Sequence, residues 1–370
     1  MTTPLGRRLA ARIAAEGPIG LDAYMAACLF DPEHGYYTTA PVFGGAGDFI
    51  TAPEISQMFG ELIGLSLGQA WRDQGAPGRI ALAELGPGRG VLMADLWRAA
   101  GKVAGFRDAA DLWLLEASPR LAAIQAERLA AAAPRFLADA AALPEAPLYL
   151  VANEFFDALP IRQFLRTPEG WAETVVGLGP EGALCPGRVP VAAGLPRAIA
   201  ARTRATPPGT ILEHCAAAPA IIAEIAGRIA RHGGAALIID YGGWDGAGDT
   251  LQALARHSPA DPFAAPGTAD LTAHVDFAPL AAAARAAGAE ASGPVAQGTF
   301  LERLGIGLRA EVLARGLTGA ALAAHRAATA RLTGAEEMGT LFKVLAIHPR
   351  GAPPPPGLAP EDTAEDGPPA

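Results

Sequence analysis

The sequence predicts an α/β fold: a parallel sheet with helices on both faces, preceded by a helical N-terminal extension and interrupted by a β-hairpin insertion. Between residues 79 and 152, short apolar strands alternate with helical segments, as parallel strands with crossover helices require. A glycine-rich turn follows the first of these strands. Hydrophobic residues make up 51% of the 370 residues, which is enough to form a sizeable core.

The first 75 residues are predicted to form the helical extension. Apolar residues recur at helical spacing over 4–30, and Asp31-Pro32 ends this stretch. A second helix is predicted over 54–74. In the loop before it, Asp48 can stabilise a turn and Thr51 can cap the helix, so composition leaves structural and functional roles equally open for this segment.

Residues 76–348 carry the alternating pattern. Strands are predicted at 79–85, 112–116, 135–137, 148–152, 235–240, 293–297 and 340–347. Helices are predicted at 91–100, 118–133, 217–232, 276–287 and 309–332. Two regions interrupt the pattern, a predicted β-hairpin at 161–185 and a loop-rich region at 243–280. Residues 349–370 are acidic and proline-rich, which predicts a disordered tail.

Charge and cysteine content exclude several classes of protein. The net charge of −9, without a basic run, disfavours a nucleic-acid partner. Three cysteines without a CxxC pair disfavour a zinc ribbon or a disulfide framework and favour a reducing compartment. No apolar run approaches the roughly 20 residues of a membrane helix. We therefore expect a protein of a reducing cytosol.

The sharpest motif is ELGPGRG at 84–90, in which Glu84 precedes Gly86, Gly88 and Gly90. Glycines let a backbone turn tightly and approach a ligand, and the following helix directs its N–H groups toward it. A phosphate-binding P-loop needs Lys-Ser/Thr after its last glycine, and a dinucleotide fingerprint needs a glycine where Val91 stands. The pattern E-x-G-x-G-x-G instead matches motif I of S-adenosylmethionine methyltransferases.

The next predicted strand ends at Glu116, 32 residues after Glu84 (116 − 84 = 32). An acidic side chain there is well placed to accept both hydroxyls of a ribose. The separation exceeds the roughly 20 residues of a dinucleotide unit, so a long connection is expected near 100–111. The alternative is a packing turn followed by a surface glutamate.

The segment NEFFDALP at 153–160 follows the fourth strand. Ligands of open α/β sheets lie beyond the carboxyl ends of the strands, so Asn153, Glu154, Phe155 and Asp157 are expected to face the reacting group. Two carboxylates three residues apart beside aromatic rings suit a cationic or amine substrate. The alternative is that Glu154 caps a helix and Asp157 is solvated.

Further candidates follow the strand at 235–240, where Tyr241 is expected on the ligand side. Histidine and aspartate side chains also share one loop-rich region: His257, Asp261, Asp270, His274 and Asp276. These residue types can bind metals, but none of the familiar metal-site spacings is present, so no metal is predicted.

With these motifs, the chain resembles the MidA family, the bacterial and mitochondrial relatives of a respiratory complex I assembly factor that is a protein arginine methyltransferase. The resemblance spans residues 5–348 and is carried by GDFITAPEISQMFGELIG (47–64), AELGPGRG (83–90), LLEASPRL (114–121), NEFFDALP (153–160), LIIDYG (237–242), GDTLQALARHSPADPFAAPGTADLTAHVDF (248–277), VAQGTF (295–300) and GTLFKVLAI (339–347). One departure is HSPADPFAAPG at 257–267, where relatives often have more basic and aromatic residues than this chain.

The resemblance implies a class I, Rossmann-like methyltransferase fold, S-adenosyl-L-methionine as methyl donor, and as acceptor a protein arginine of the 49-kDa-type complex I subunit. Predicted cofactor-binding residues are Glu84, Gly86, Gly88, Gly90, Glu116, Asp139 and Thr51. Predicted catalytic residues are Glu154, Asp157, Asp48 and Asn153. A second group on the substrate side is Phe155, Tyr241, Asp270, His274 and Asp276.

Two alternatives stay open. The enzyme could methylate another nucleophile, such as a different protein side chain or a small molecule. The protein could instead be a non-catalytic assembly chaperone that keeps the fold, although a pure scaffold need not retain Glu84, the glycines and Glu116 together. The sequence does not indicate an oligomeric state.

Overall fold

The computed structural model describes residues 3–39, 51–192, 194–203 and 205–362. These residues divide into two compact units. The described residues of unit 1 lie within 3–39, 157–218 and 245–279, and those of unit 2 within 51–156, 219–244 and 280–362. The division differs from the predicted boundary at residue 75, because the N-terminal extension contributes to both units. Asp48 lies outside the described residues.

Helices and strands alternate along most of the described chain. The helices are α1 (Pro4–Glu16), α2 (Leu21–Phe30), α3 (Tyr36–Thr39), α4 (Ala52–Ile55), α5 (Gln57–Asp73), α6 (Val91–Ala100), α7 (Phe106–Ala109), α8 (Pro119–Arg128), α9 (Arg197–Arg202), α10 (Ala217–His232), α11 (Phe277–Ala286), α12 (Gln297–Arg303), α13 (Ile306–Ala314), α14 (Gly319–Thr333) and α15 (Met338–Leu341). Among the described residues, no helix is long and apolar enough to span a bilayer.

The strands are β1 (Ile19–Gly20), β2 (Ile80–Leu85), β3 (Ala110–Leu115), β4 (Arg135–Leu137), β5 (Leu148–Asn153), β6 (Arg162–Arg166), β7 (Trp171–Leu178), β8 (Leu184–Pro190), β9 (Ile211–His214), β10 (Gly234–Gly243), β11 (Gln252–Ala255), β12 (Ser258–Ala260), β13 (Asp270–Thr272), β14 (Val275–Asp276), β15 (Ala289–Ala296) and β16 (Phe342–Pro349).

The sheet of unit 2 confirms the predicted parallel arrangement. Its strand order is β15-β16-β10-β5-β2-β3-β4. The pairs from β10 to β4 are parallel, whereas β16 runs antiparallel to both β10 and β15. Central strands β2 and β5 are buried along their whole length, as expected for strands covered on both faces. The sheet therefore presents the carboxyl ends of its parallel strands at one edge.

Close packing of α5 against α6 fixes the helix that follows the glycine-rich turn. A Cβ atom at Gly60 would lie 2.9 Å from the carbonyl oxygen of Leu92, and one at Gly64 would lie 2.7 Å from that of Leu96. A larger residue at either position would push the two helices apart. The predicted helix over 54–74 is split at Ser56, whose hydroxyl accepts a hydrogen bond from the backbone N–H of Met58 and caps α5.

Unit 1 contains the predicted hairpin as part of a larger sheet. Strands β6 and β7 are antiparallel, as expected, and β1, β8 and β9 join them in a five-stranded antiparallel sheet within the described residues. Ile19 of β1 pairs with Val176 of β7. The helical stretch predicted over 4–30 is accordingly two helices, because Gly17, at a φ of 91°, and Pro18 end α1 before β1 begins.

Residues 349–362 differ from the predicted disordered tail. Leu358 is 8% exposed and packs in the hydrophobic core of unit 2. The backbone N–H of Gly293 donates to the carbonyl oxygen of Asp362 at 2.7 Å, and Arg303 forms an ion pair with the Asp362 carboxylate. The prediction rested on the average composition of 349–370, which does not show that a single leucine, Leu358, packs into the hydrophobic core. Residues 363–370 lie outside the described residues.

Candidate functional site

The site of unit 2 forms where the strand order reverses. From β2 the sheet continues through β3 and β4 on one side and through β5 and β10 on the other. Open α/β sheets bind ligands beyond the strand ends at such a switch point. The predicted motifs 84–90 and 153–156 follow the neighbouring strands β2 and β5 there.

Three glycines shape the turn after β2. Gly86, Gly88 and Gly90 have φ values of 62°, 54° and 73°, a left-handed conformation that glycine adopts readily. Gly90 is the N-cap residue of the ten-residue helix α6. The backbone N–H of Gly86 donates to the carbonyl oxygen of Leu115 at 3.0 Å, which ties the turn to the end of β3.

Glu84 lies beneath this turn with an unsatisfied carboxylate oxygen. The side chain is 3% exposed, and its Oε2 atom has no hydrogen-bond partner among the described residues. Burial, with the nearby charge of Glu116 as a second cause, raises the pKa of Glu84 to about 8. A buried polar atom without a partner is a place where a bound ligand can supply the missing hydrogen bond.

Glu116 stands directly after β3 and is held by two donors. Its Oε1 accepts from the backbone N–H of Ser118 at 2.8 Å, and its Oε2 accepts from Nε2 of Gln125 at 2.8 Å. Burial raises its pKa, and the donors at Ser118 and Gln125 oppose that shift. The carboxylate is therefore oriented before any ligand arrives.

Sequence reasoning missed Gln125, which joins the two segments that are predicted to bind the cofactor. The same Nε2 atom donates to the carbonyl oxygen of Gly88 at 2.7 Å, and the side chain is fully buried on α8. The sequence contained a signal, since Gln125 stands four residues from both Leu121 and Leu129 on the apolar face of this helix.

Asn153 and Glu154 form a polar pair after β5. Nδ2 of Asn153 donates to Oε1 of Glu154 at 3.0 Å, and the buried Oδ1 of Asn153 has no partner among the described residues. Oε1 of Glu154 also accepts from the backbone N–H of Ala52 at 3.4 Å. Residues 154–161 form turns rather than a helix, so the helix-capping alternative for Glu154 does not apply.

The ring of Phe155 lies against the glycine-rich turn. A Cβ atom added to Gly86 would stand 2.9 Å from Cδ2 of Phe155. The same ring meets Phe156 edge-on, with ring centroids 5.2 Å apart. The segments after β2 and β5 are therefore in contact, as their shared position at the switch point predicts.

Three other predicted residues of unit 2 have local structural partners. Tyr241 is buried and packs edge-on against Phe342, with ring centroids 5.4 Å apart. Asp139 is exposed after β4, and its Oδ1 accepts from the backbone N–H of Ala141. Thr51 precedes α4 without a capping side-chain hydrogen bond.

The remaining predicted residues belong to unit 1. Asp157 and Asp270 are both buried, so the alternative of a solvated Asp157 does not apply. Tyr37 donates its hydroxyl hydrogen to Oδ1 of Asp270 at 2.8 Å. Burial raises the pKa of Tyr37 well above its usual value, and the charges of Asp270 and Asp157 add to that shift.

His274 and Asp276 follow β13 in the same unit. His274 is exposed, and its backbone N–H donates to Oγ1 of Thr250 at 2.8 Å. Burial raises the pKa of Asp276 to about 6, while the N–H of Ala278 and the guanidinium of Arg202 oppose the shift. No group of three His, Cys, Asp or Glu side chains in the described part of the chain could hold a metal ion.

The residues of unit 2 fit the cofactor that the resemblance implies. The left-handed glycines turn the backbone tightly after β2, and the N-terminus of α6 follows them with its N–H groups. Glu116 offers an oriented carboxylate for a ribose, while Glu84 Oε2 and Asn153 Oδ1 are buried oxygen atoms without a hydrogen-bond partner among the described residues.

Comparison with known proteins identifies similar sequences. The model of a family of S-adenosyl-L-methionine-dependent methyltransferases matches residues 62–295. The mitochondrial protein arginine methyltransferase NDUFAF7 of Homo sapiens is 37% identical over 345 residues, which cover 84% of this chain and 75% of that protein. The mitochondrial NDUFAF7 homologue of Drosophila melanogaster is 36% identical over 379 residues, which cover 93% of this chain and 85% of that protein.

Solved structures agree with this similarity. A Burkholderia thailandensis protein crystallised with S-adenosyl-homocysteine superimposes with a TM-score of 0.82 at 32% identity, covering 95% of this chain and 93% of that one. A native crystal structure of a protein from the same organism gives a TM-score of 0.79 at 32% identity, covering 98% of this chain and 95% of that one.

Proposed function

This chain belongs to a family of S-adenosyl-L-methionine-dependent methyltransferases, and from that membership we propose that it methylates an arginine side chain of a protein. The cofactor is S-adenosyl-L-methionine. The arginine acceptor is supported by the names of the relatives and by the chemistry of the segment after β5.

The conformation of Glu154 is the observation that carries this proposal. Glu154 has a φ of 52°, which is uncommon for a residue with a side chain, and such strain concentrates at functional sites. Its carboxylate is half-buried beside the amide of Asn153. A carboxylate fixed at a strand end, next to the Asn153 oxygen that has no donor in the described part of the chain, suits a cationic N–H donor such as a guanidinium.

When bound, S-adenosyl-L-methionine supplies a methyl group activated by a positively charged sulfur. The glycine-rich turn and Glu116 bind and orient the cofactor in this proposal. An arginine is always charged in water and is a poor nucleophile. Glu154 therefore holds the guanidinium, localises its charge and accepts a proton at a carboxylate oxygen as the nitrogen attacks. Positioning of the two reactants accounts for most of the rate enhancement.

The other predicted catalytic residues keep the roles that the resemblance implies. Asp157 follows Glu154 by three positions and remains the second proposed carboxylate, and Asn153 remains a proposed ligand of the acceptor. Asp48 remains a proposal from the sequence alone, since it lies outside the described residues.

A subunit of respiratory complex I of the 49-kDa type is the proposed protein substrate, on the strength of the family resemblance. The animal relatives are named as mitochondrial proteins. For this chain, location in the bacterial cytoplasm or in the mitochondrial matrix stays a proposal.

The decisive experiment incubates the protein with S-adenosyl-L-methionine carrying a labelled methyl group and a total protein extract. Mass spectrometry then identifies the labelled protein and residue. Label on arginine supports the proposal, whereas label on another side chain or on a small molecule supports a different acceptor. If no label is transferred although the protein complements a deletion strain, the non-catalytic chaperone is the better description.

A further inference from the structure

Asp240, which is fully buried near the end of β10, holds the backbone of the segment that follows β5. Its Oδ2 atom accepts hydrogen bonds from the backbone N–H groups of Phe155 at 3.2 Å and Phe156 at 3.0 Å. Its Oδ1 atom accepts from its own neighbour, the N–H of Tyr241, at 3.0 Å. Three amides thus surround one carboxylate.

These hydrogen bonds lie directly beside Glu154, the residue with the left-handed backbone conformation. The N–H of Glu154 donates to the carbonyl oxygen of Ile239 at 2.9 Å, so β10 holds three successive N–H groups, those of residues 154, 155 and 156. A left-handed conformation at a non-glycine residue persists only where its surroundings determine it. Here the end of β10 provides that constraint.

Burying the Asp240 carboxylate at this position costs free energy, which a purely structural role would not require. The five residues before it, at 235–239, are fully buried and apolar. A carboxylate in such surroundings is tolerated only when hydrogen-bond donors surround it. An uncharged side chain would serve the strand equally well, but it would not accept bonds from both Phe155 and Phe156 while leaving an oxygen for Tyr241.

We propose that Asp240 is a positioning residue for methyl transfer: it fixes the amides of Phe155 and Phe156 and thereby holds Glu154 in the conformation that meets the acceptor. This inference rests on the proposed function, in which Glu154 contacts the acceptor. Asp240 itself touches neither the cofactor nor the acceptor in this proposal.

The first test measures hydrogen exchange of individual backbone amides in the full chain. In Asp240→Asn, the amides of Phe155 and Phe156 should exchange at least about tenfold faster than in the parent, relative to the amide of Val151 in β5, because they lose a charged acceptor. The control is Glu61→Gln, which alters another buried carboxylate of unit 2, one paired with Arg98 and Arg309. Unchanged exchange in Asp240→Asn would overturn the anchoring role.

The second test is a double-mutant cycle with labelled S-adenosyl-L-methionine and total protein extract as acceptor probe. Asp240→Asn should lower the rate of label transfer about tenfold or more while the affinity for S-adenosyl-homocysteine stays the same. In a Glu154→Gln background it should cause little further loss, because residues that act through one another are not additive. Equal losses in both backgrounds would show that Asp240 does not act through Glu154.

A conservative variant covers the case in which Asp240→Asn does not fold. Asp240→Glu keeps the charge but displaces the oxygens by one methylene, so it should lower transfer without loss of cofactor affinity. Parental transfer by a folded Asp240→Glu variant would overturn the inference. If Glu154→Gln alone transfers label at the parental rate, the proposed function fails at Glu154, while the exchange experiment still decides whether Asp240 anchors the segment.

Discussion

The ring of Phe155 occupies the space where a side chain at Gly86 would have to go. The distance from a Cβ atom at Gly86 to Cδ2 of Phe155 would be 2.9 Å, which is closer than such atoms approach in proteins. The glycine-rich turn, to which we assign cofactor binding, is therefore in direct contact with the segment that carries Glu154. A side chain at Gly86 would therefore have to displace the Phe155 ring.

Gly86→Val should abolish binding of S-adenosyl-homocysteine and slow methyl transfer. The substitution places a β-branched residue at a φ of 62° and forces it against Phe155. Calorimetry of the folded variant measures the affinity for S-adenosyl-homocysteine, which we expect to fall by more than tenfold. Gly78→Ala is the matched control, because a Cβ atom at that exposed glycine would meet nothing within 4 Å. Unchanged affinity in Gly86→Val would refute the assignment of the turn.

Glu116→Ala should weaken cofactor binding by about 1–3 kcal/mol, the usual cost of losing charge-assisted hydrogen bonds. The exposed Glu127 on α8 provides a control that removes the same charge without touching the turn. NADH should not compete with S-adenosyl-homocysteine in the parent protein. Tight competition by NADH would instead favour a dinucleotide site.

Glu84 should make the ligand-free protein less stable as pH rises. Its pKa is about 8 in the folded protein, against 4.5 ordinarily, so the folded state binds an extra proton between these values. The contribution of Glu84 to the free energy of unfolding should therefore fall as pH rises from about 4.5 to 8, by at most about 5 kcal/mol. Urea unfolding at pH 5.5 and 8.5 measures this decrease in the free energy of unfolding. Glu84→Gln should show a smaller decrease, and an identical decrease would contradict the raised pKa.

Deleting residues 355–370 should lower the free energy of unfolding by about 2–4 kcal/mol, because the deletion removes the buried Leu358 and the hydrogen bonds of Asp362. Deleting only 363–370 leaves these contacts and should change stability little. Equal stability of the two truncated proteins in urea would show that the contacts of Leu358 and Asp362 contribute nothing.

Glu154→Gln and Asp157→Asn should separate cofactor binding from methyl transfer. Both are near-isosteric and remove a negative charge, so the rate of label transfer should fall by a factor on the order of 100 or more. Affinity for S-adenosyl-homocysteine should change little. Glu169→Gln, in the exposed turn between β6 and β7, controls for loss of charge. Full activity in both test variants would mean that other groups hold the acceptor.

Local patterns predicted the parallel strands well and the antiparallel sheet of unit 1 only in part. The apolar run of β2 and the helix α6 lie where periodicity and the glycine-rich turn put them. β1 has only two residues, and β8 contains Pro186 and Pro190, which weaken any strand signal. Both strands form because distant residues of β7 pair with them, and such pairing leaves little trace in a short window of sequence.

The residues of the candidate site were likewise predictable from the sequence only in part. Motif residues such as Glu84, Gly86 and Glu154 could be found because their types and spacing are unusual. Gln125 and Asp240 act on backbone atoms far away in the chain, so their partners appear only once the strands are aligned. Strain at Glu154 was likewise invisible, because no residue type signals a left-handed backbone there.

The position of β16 has a consequence for how the chain folds as it leaves the ribosome. This strand, Phe342–Pro349, lies between β10 and β15, although both of those strands are synthesised earlier. Until residue 349 has emerged, β10 and β15 each have an edge whose backbone groups lack the partner that β16 provides. A nascent chain stalled before that point would be prone to misassociation, which makes it a natural client for molecular chaperones during translation.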